Sequence, residues 1–278
     1  MNATSWNRAR RLLCELHDHI RASVVRDRVR GWQRFADIAA VTTADTIYRV
    51  DRISEHAISD WFEQHWPKDW PVQLVMEGEG DHEGGSTFPR GLPLSRTRFK
   101  CILDPIDGTR DYIRGRSGWC VSVALVEGSE AVFAAMYAPV TKQLWVAHKG
   151  EGTTCNGKRL FASTRSEFIG ARVPTDALPK VDRDLEMVHK PNSIAMRMTM
   201  VACDRADLVA TLRWGHEWDI AAAHLIAEEA GAVVTSATGE PIRYNKREPM
   251  DFGLICCAPG IHDAAIERLK ERAASLLA

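Results

Sequence analysis

Trp6, Ala9, Leu13, Leu16, Ile20 and Val24 recur at three- and four-residue steps, which predicts a long amphipathic first helix. Ile53, Ala57, Ile58, Trp61 and Phe62 share one side of a second predicted helix over 51–65, which Pro67 and Pro71 end. The apolar run VQLVM predicts a short strand and leads into EGEGDHEGG. That acidic, glycine-rich stretch, with the residues to about 97, reads as a mobile loop. A strand over 99–103 follows, then apolar runs at 119–126, 131–139 and 142–148 separated by short turns such as EGSE. These runs predict an antiparallel meander, and GEGTTCNGKRL adds a turn. Residues 164–191 show no clear period. Beyond them the pattern predicts a helix near 192–202, a strand near 207–212 and a helix over 219–230 closed by Gly231. The strands AVVTS and 252–258 and an amphipathic C-terminal helix complete the chain. The change of pattern divides an α+β half, 1–160, from an α/β half, 161–278.

Composition narrows the field. The charged fraction is 26% and the hydrophobic fraction 45%, as in a soluble globular chain. A formal net charge of −1 argues against a nucleic-acid polymer or a polybasic membrane contact. No apolar run approaches the ~18 residues of a membrane span, and the N-terminus lacks the pattern of a signal peptide. Seven cysteines, an odd number with no CxxC pair, point to reduced thiols and a cytoplasmic setting.

Candidate chemistry then changes the picture. Strand 99–103 runs into ILDPIDGTRD, where Asp104, Asp107 and Asp111 fall within a few positions of one another. Like charges this close resist ionising together. Either the stretch is an Asp-Gly turn in water or a cation belongs there. Glu77 at the end of VQLVM, Asp219 at the start of a helix and Asp51 at the start of another stand at comparable element ends. Carboxylates with a backbone carbonyl suit a hard cation, most often Mg²⁺.

The run Asp104-Pro105-Ile106-Asp107-Gly108-Thr109, followed by Trp218-Asp219-Ile220-Ala221-Ala222 and Glu229-Ala230-Gly231, resembles the inositol monophosphatase family. That family belongs with fructose-1,6-bisphosphatase and the bisphosphate nucleotidases among Mg²⁺-dependent, lithium-sensitive phosphatases. The resemblance implies a layered α-β-α-β-α sandwich of α/β class and hydrolysis of a small phosphate monoester. Inositol monophosphate or a similar sugar phosphate is the first substrate expected. A 3'(2'),5'-bisphosphate nucleotidase and a catalytically weak regulatory homologue are the alternatives. It implies metal ligation by Asp104, Asp107, the carbonyl of Ile106, Asp219 and Glu77. Gly108 and Thr109 would bind phosphate through backbone N–H groups. Thr109 would also orient the attacking water with Asp51, for which Asp45 is the alternative. Counting from the strand selects Glu77 as the first glutamate; counting from the glycine selects Glu79. The resemblance also implies a possible homodimer.

Overall fold

The computed structural model of the chain describes residues 3–29, 37–41, 46–77 and 86–277. Chain order begins with helix α1 (Ala3–Val29), strands β1 (Ile38–Val41) and β2 (Thr46–Tyr48), helix α2 (Arg49–His65) and strands β3 (Val72–Met76), β4 (Ser86–Phe88) and β5 (Phe99–Asp107). A short helix α3 (Thr109–Ile113) precedes β6 (Cys120–Glu127), β7 (Glu130–Ala138), β8 (Gln143–His148), β9 (Gly152–Cys155) and β10 (Lys158–Arg159). Then come β11 (Arg172–Pro174), β12 (Glu186–Val188), α4 (Ile194–Ala202), β13 (Leu208–His216), α5 (Glu217–Glu229), β14 (Val233–Thr235), β15 (Met250–Cys257) and α6 (His262–Leu277).

The main sheet has eight strands in the order β10-β9-β8-β7-β6-β5-β3-β4. It is the expected meander, with β3 and β5 its one parallel pair. Alternation along the strands gives it two apolar faces. Cys101, Leu103, Val121, Val123 and Leu125 join one cluster with Leu13 and Leu16 of α1 and Ile58 and Phe62 of α2. Ile102, Cys120, Ala124 and Val126 join another with residues of α4 and α5. A second sheet, β13-β15-β14, covers those helices. Val209, Leu254 and Cys256 face α4 and α5, whereas Leu208, Ile255 and Cys257 face α6 through Ala265 and Leu269. The layers therefore run helix, sheet, helix, sheet, helix.

Several expectations shift. Part of the stretch read as a loop to about 97 is strand β4, which pairs antiparallel with β3; three residues are too few to show a period. The rest of EGEGDHEGG, 78–85 with Glu79, lies outside the described residues, as does Asp45. The featureless 164–191 contains the parallel pair β11–β12. The strand expected near 207–212 runs on to His216. All seven cysteines are free thiols. Among the described residues no helix is long and apolar enough to cross a membrane.

Candidate metal and phosphate site

Strand β5 delivers the acids through a break in its own regularity. Even-numbered Ile102 faces α4 and α5, and odd-numbered Cys101 and Leu103 face α1 and α2. Simple alternation would send Asp104 and Asp107 to opposite faces. The register against β6 slips by one residue between Asp104, which pairs with Ser122, and Asp107, which pairs with Cys120. A bulge reverses the parity of the strand residues beyond it. Pro105, which has no N–H to give a ladder, sits where a bulge tolerates it. The extra residue brings both acids to the α4/α5 face.

Asp219 reaches the same place from α5. It occupies the first helical turn, and its Oδ2 accepts the His216 amide at 3.1 Å. Oxygens of Asp104, Asp107 and Asp219 lie within 4.8 Å of one another. Asp104 and Asp107 are buried and Asp219 is half-buried. Asp104 Oδ1 accepts the Ile106 amide at 2.8 Å. Asp107 accepts the hydroxyl of Ser193, the Ala195 amide at 2.8 Å and the Ile194 amide at 3.3 Å. Burial, then the charges of Glu77, Asp107 and Asp219, push the Asp104 carboxyl well above the usual carboxylate range. Burial raises Asp107 as well, against the hydrogen bonds from Ser193 and the α4 amides. Buried carboxylates crowded in this way gain most from a bound cation, and an all-oxygen donor set fits Mg²⁺ or another hard ion.

Glu77 follows β3, its amide donating to Leu103 O at 3.3 Å. Its charge acts on Asp104, but its carboxylate is not one of the three mutually within 4.8 Å. Asp51 falls in the first turn of α2, and its side chain lies outside the described residues.

Gly108 takes φ +97°, and a Cβ there would stand 2.6 Å from Gly118 O and 3.0 Å from the Ser193 amide nitrogen. Only glycine fits this turn into α3. Thr109 Oγ1 donates to Ile106 O at 3.0 Å. The carbonyl keeps a second lone pair for a cation, and the threonine oxygen, its proton committed, is left as an acceptor.

A cavity of about 550 Å³ opens beside Asp219, with Arg110, Arg197, Arg213 and the exposed Trp214 in its wall. Asp111, the third acid of ILDPIDGTRD, is buried and accepts the Asn192 amide at 3.2 Å. Tyr112 and Tyr244 are also buried, the latter 2.6 Å from His224 Nδ1.

Residues 13–274 match the family model described as the inositol monophosphatase family. The chain belongs to the inositol monophosphatase family. Within it, the chain is 33% identical over 174 residues to the Nus factor SuhB of Xylella fastidiosa, covering 57% of this chain and 62% of that one. It is 32% identical over 191 residues to an inositol monophosphatase of Dictyostelium discoideum, covering 63% and 68%. Alignment with the first of these relatives thus spans somewhat less than two thirds of its length. An inositol monophosphatase of Thermotoga maritima superposes with a TM-score of 0.71 at 23% identity, over 92% of this chain and 94% of that one, which shows the shared family fold.

Sequence reasoning missed Ser193, Arg197 and Arg213. Ser193 caps α4, its Oγ accepting the Met196 amide at 2.8 Å while its hydroxyl donates to Asp107. A serine three residues ahead of a helical amide was a usable capping signal. The two arginines carry no signal until the fold places them at the cavity.

Proposed function

We propose that this protein is a Mg²⁺-dependent phosphatase acting on a small phosphate monoester, with inositol monophosphate or a similar sugar phosphate the first candidate. The observation that carries the reading is the convergence of Asp104, Asp107 and Asp219 within 4.8 Å at the end of a bulged strand. In this reading Asp104, Asp107, Asp219, Glu77 and the Ile106 carbonyl hold metal. The halves 1–160 and 161–278 both contribute ligands. Bound Mg²⁺ would neutralise phosphate oxygens and make a coordinated water more acidic.

The chain's own groups do the rest. Amides of Gly108 and Thr109 receive a phosphate oxygen at the mouth of α3. Thr109 Oγ1, already donating to Ile106 O, accepts a hydrogen bond from the attacking water and so points the water's lone pair at phosphorus. Asp51, in the first turn of α2, is the second acceptor. Direct attack in line with the leaving oxygen needs no phosphoenzyme.

The test is phosphate release from inositol monophosphate, fructose bisphosphate and adenosine 3',5'-bisphosphate with and without Mg²⁺. Metal-stimulated turnover that millimolar lithium inhibits supports the reading. Absence of release in all three removes it and favours a regulatory homologue.

A further inference from the structure

The cavity that opens from the acid cluster is basic on its far wall. Arg197 projects from α4 with its guanidinium fixed by two carbonyls, Nε to Ser193 O at 3.2 Å and Nη2 to Asn192 O at 2.7 Å. Arg213 comes from β13, close enough that its charge bears unfavourably on Arg197. Arg110 follows Thr109 on α3 and lines the same cavity. Among the described residues none of the three forms an ion pair. The other acids in the wall are already engaged: Asp182 with Arg268 and Arg272, and Asp251 with Lys246.

Backbone geometry supports a built site. Between Thr211 and Trp214 the register of β13 against β15 slips by one residue. The slip is opposite Gly253, which has φ +68° and whose Cβ would meet Ala237 Cβ at 2.4 Å and Thr211 O at 2.8 Å. The bulge carries Trp214 to the side of the sheet that Val209 occupies, beside Arg213. A bulge of this kind re-aims side chains at the edge of a site.

Asp107, Asp176 and Asp219 offset part of the charge on Arg197, and Asp176 is itself paired with Lys190 at 2.7 Å. The share from Asp107 and Asp219 is taken up once a cation occupies those carboxylates. Neighbouring cationic groups with no carboxylate paired to them among the described residues, in a half-enclosed cavity, then call for an anion, as crowded acids call for a cation. We infer that Arg110, Arg197 and Arg213 form a second anion subsite. The preferred substrate is therefore a phosphate monoester whose leaving group carries another phosphate or a carboxylate. The inference rests on the phosphatase reading above and adds the class of substrate. Guanidinium groups bind both kinds of oxyanion through paired N–H donors.

Matched pairs test it. Fructose 1,6-bisphosphate is compared with fructose 1-phosphate, and 3-phosphoglycerate with glycerol 3-phosphate, at saturating Mg²⁺. The second charge should raise kcat/KM by about tenfold to a hundredfold in at least one pair, the value of one or two charge-assisted hydrogen bonds. Which pair responds tells phosphate from carboxylate. Arg213→Gln should bring that ratio to near one, and Lys158→Gln, at the exposed tip of the β9–β10 hairpin, should keep it. A ratio near one in the unaltered protein, or a ratio that Arg213→Gln leaves intact, overturns the subsite. No release from any of the four overturns the phosphatase reading instead. Calorimetric titration with fructose 1,6-bisphosphate and 3-phosphoglycerate then decides the subsite separately. A Kd weakened about tenfold or more by Arg213→Gln for either ligand sustains it, and equal Kd values for both end it.

Discussion

Asp107 Oδ2 accepts the backbone amide of Ala195 at 2.8 Å, joining the end of β5 to the first turn of α4. Asp104 makes no such tie to another element among the described residues; its Oδ1 accepts only the nearby Ile106 amide. The two acids therefore differ in what they do for the fold. Asp104→Asn should raise the melting temperature of the metal-free protein by roughly 2–4 °C, by relieving repulsion. Asp107→Ala should lower stability by about 1–3 kcal/mol, because buried donors on Ser193 and Ala195 lose their acceptor. Thermal melts without metal rank the variants, and an equal response in both would contradict this division.

Both substitutions should lower phosphate release by ~10²-fold or more, since in the proposed reading each removes charge from the site that stabilises a phosphoryl transition state. Mg²⁺ should raise the melting temperature of the unaltered protein by mass action, and raise it less in either variant. A Mg²⁺ response that survives in both would mean that the cation binds elsewhere.

Glu77 is the nearer of the two candidate glutamates by strand counting, and its charge reaches Asp104. Glu77→Gln should reduce turnover far more than Glu79→Gln. The reverse ranking, in initial rates at saturating Mg²⁺, would assign the metal to the glutamate after the glycine.

The outer end of α5 has its own acid. Glu229 accepts the amides of Gly150 at 2.7 Å and Gly152 at 2.6 Å, and so pins the β8–β9 hairpin. Glu229→Ala should cost about 1–3 kcal/mol in urea unfolding. Glu229→Gln keeps one acceptor and should cost less. Equal midpoints for all three proteins would show that the hairpin is held by its neighbours alone.

His17 gives the fold an acid limit. It is buried in α1, neither ring nitrogen has a hydrogen-bond partner among the described residues, and burial lowers its pKa to about 4. An unfolded histidine titrates near 6.5. Below that value the unfolded chain takes up the proton first, so stability falls as pH drops from about 6.5 towards 4. The loss is about 2 kcal/mol at pH 5. His17→Leu should flatten the pH dependence of the melting temperature across this window. An unchanged slope would place the acid sensitivity in other groups.

Much of this was legible in the chain. Long periodic segments announced α1, α2 and the meander, because burying one face imposes a repeat on the sequence. The DPIDGT run and the distant WDIAA announced the acids. Harder to read was how Asp104 and Asp107 come to share a face. That depends on a one-residue slip at Pro105–Ile106 which only pairing with β6 reveals. The slip before Trp214 is hidden for the same reason. Strands of two to four residues, such as β4, β10 and β11, are too short for any period to show. Arg197 and Arg213 look like ordinary surface arginines until α4 and β13 are set side by side.

Helix α5 carries Asp219 in its first turn and Glu229 at its end, and Ile220, Ala221, Ala222, Ala223, Leu225, Ile226 and Ala227 between them are all buried. With a sheet on either side, it buries most of its length. Its amide protons should be among the slowest in the molecule to exchange with deuterium, released only when the whole structure opens. The acid that completes the cluster would then be carried on the least yielding segment of the chain, and a small substrate arriving there would find one wall of its site already fixed.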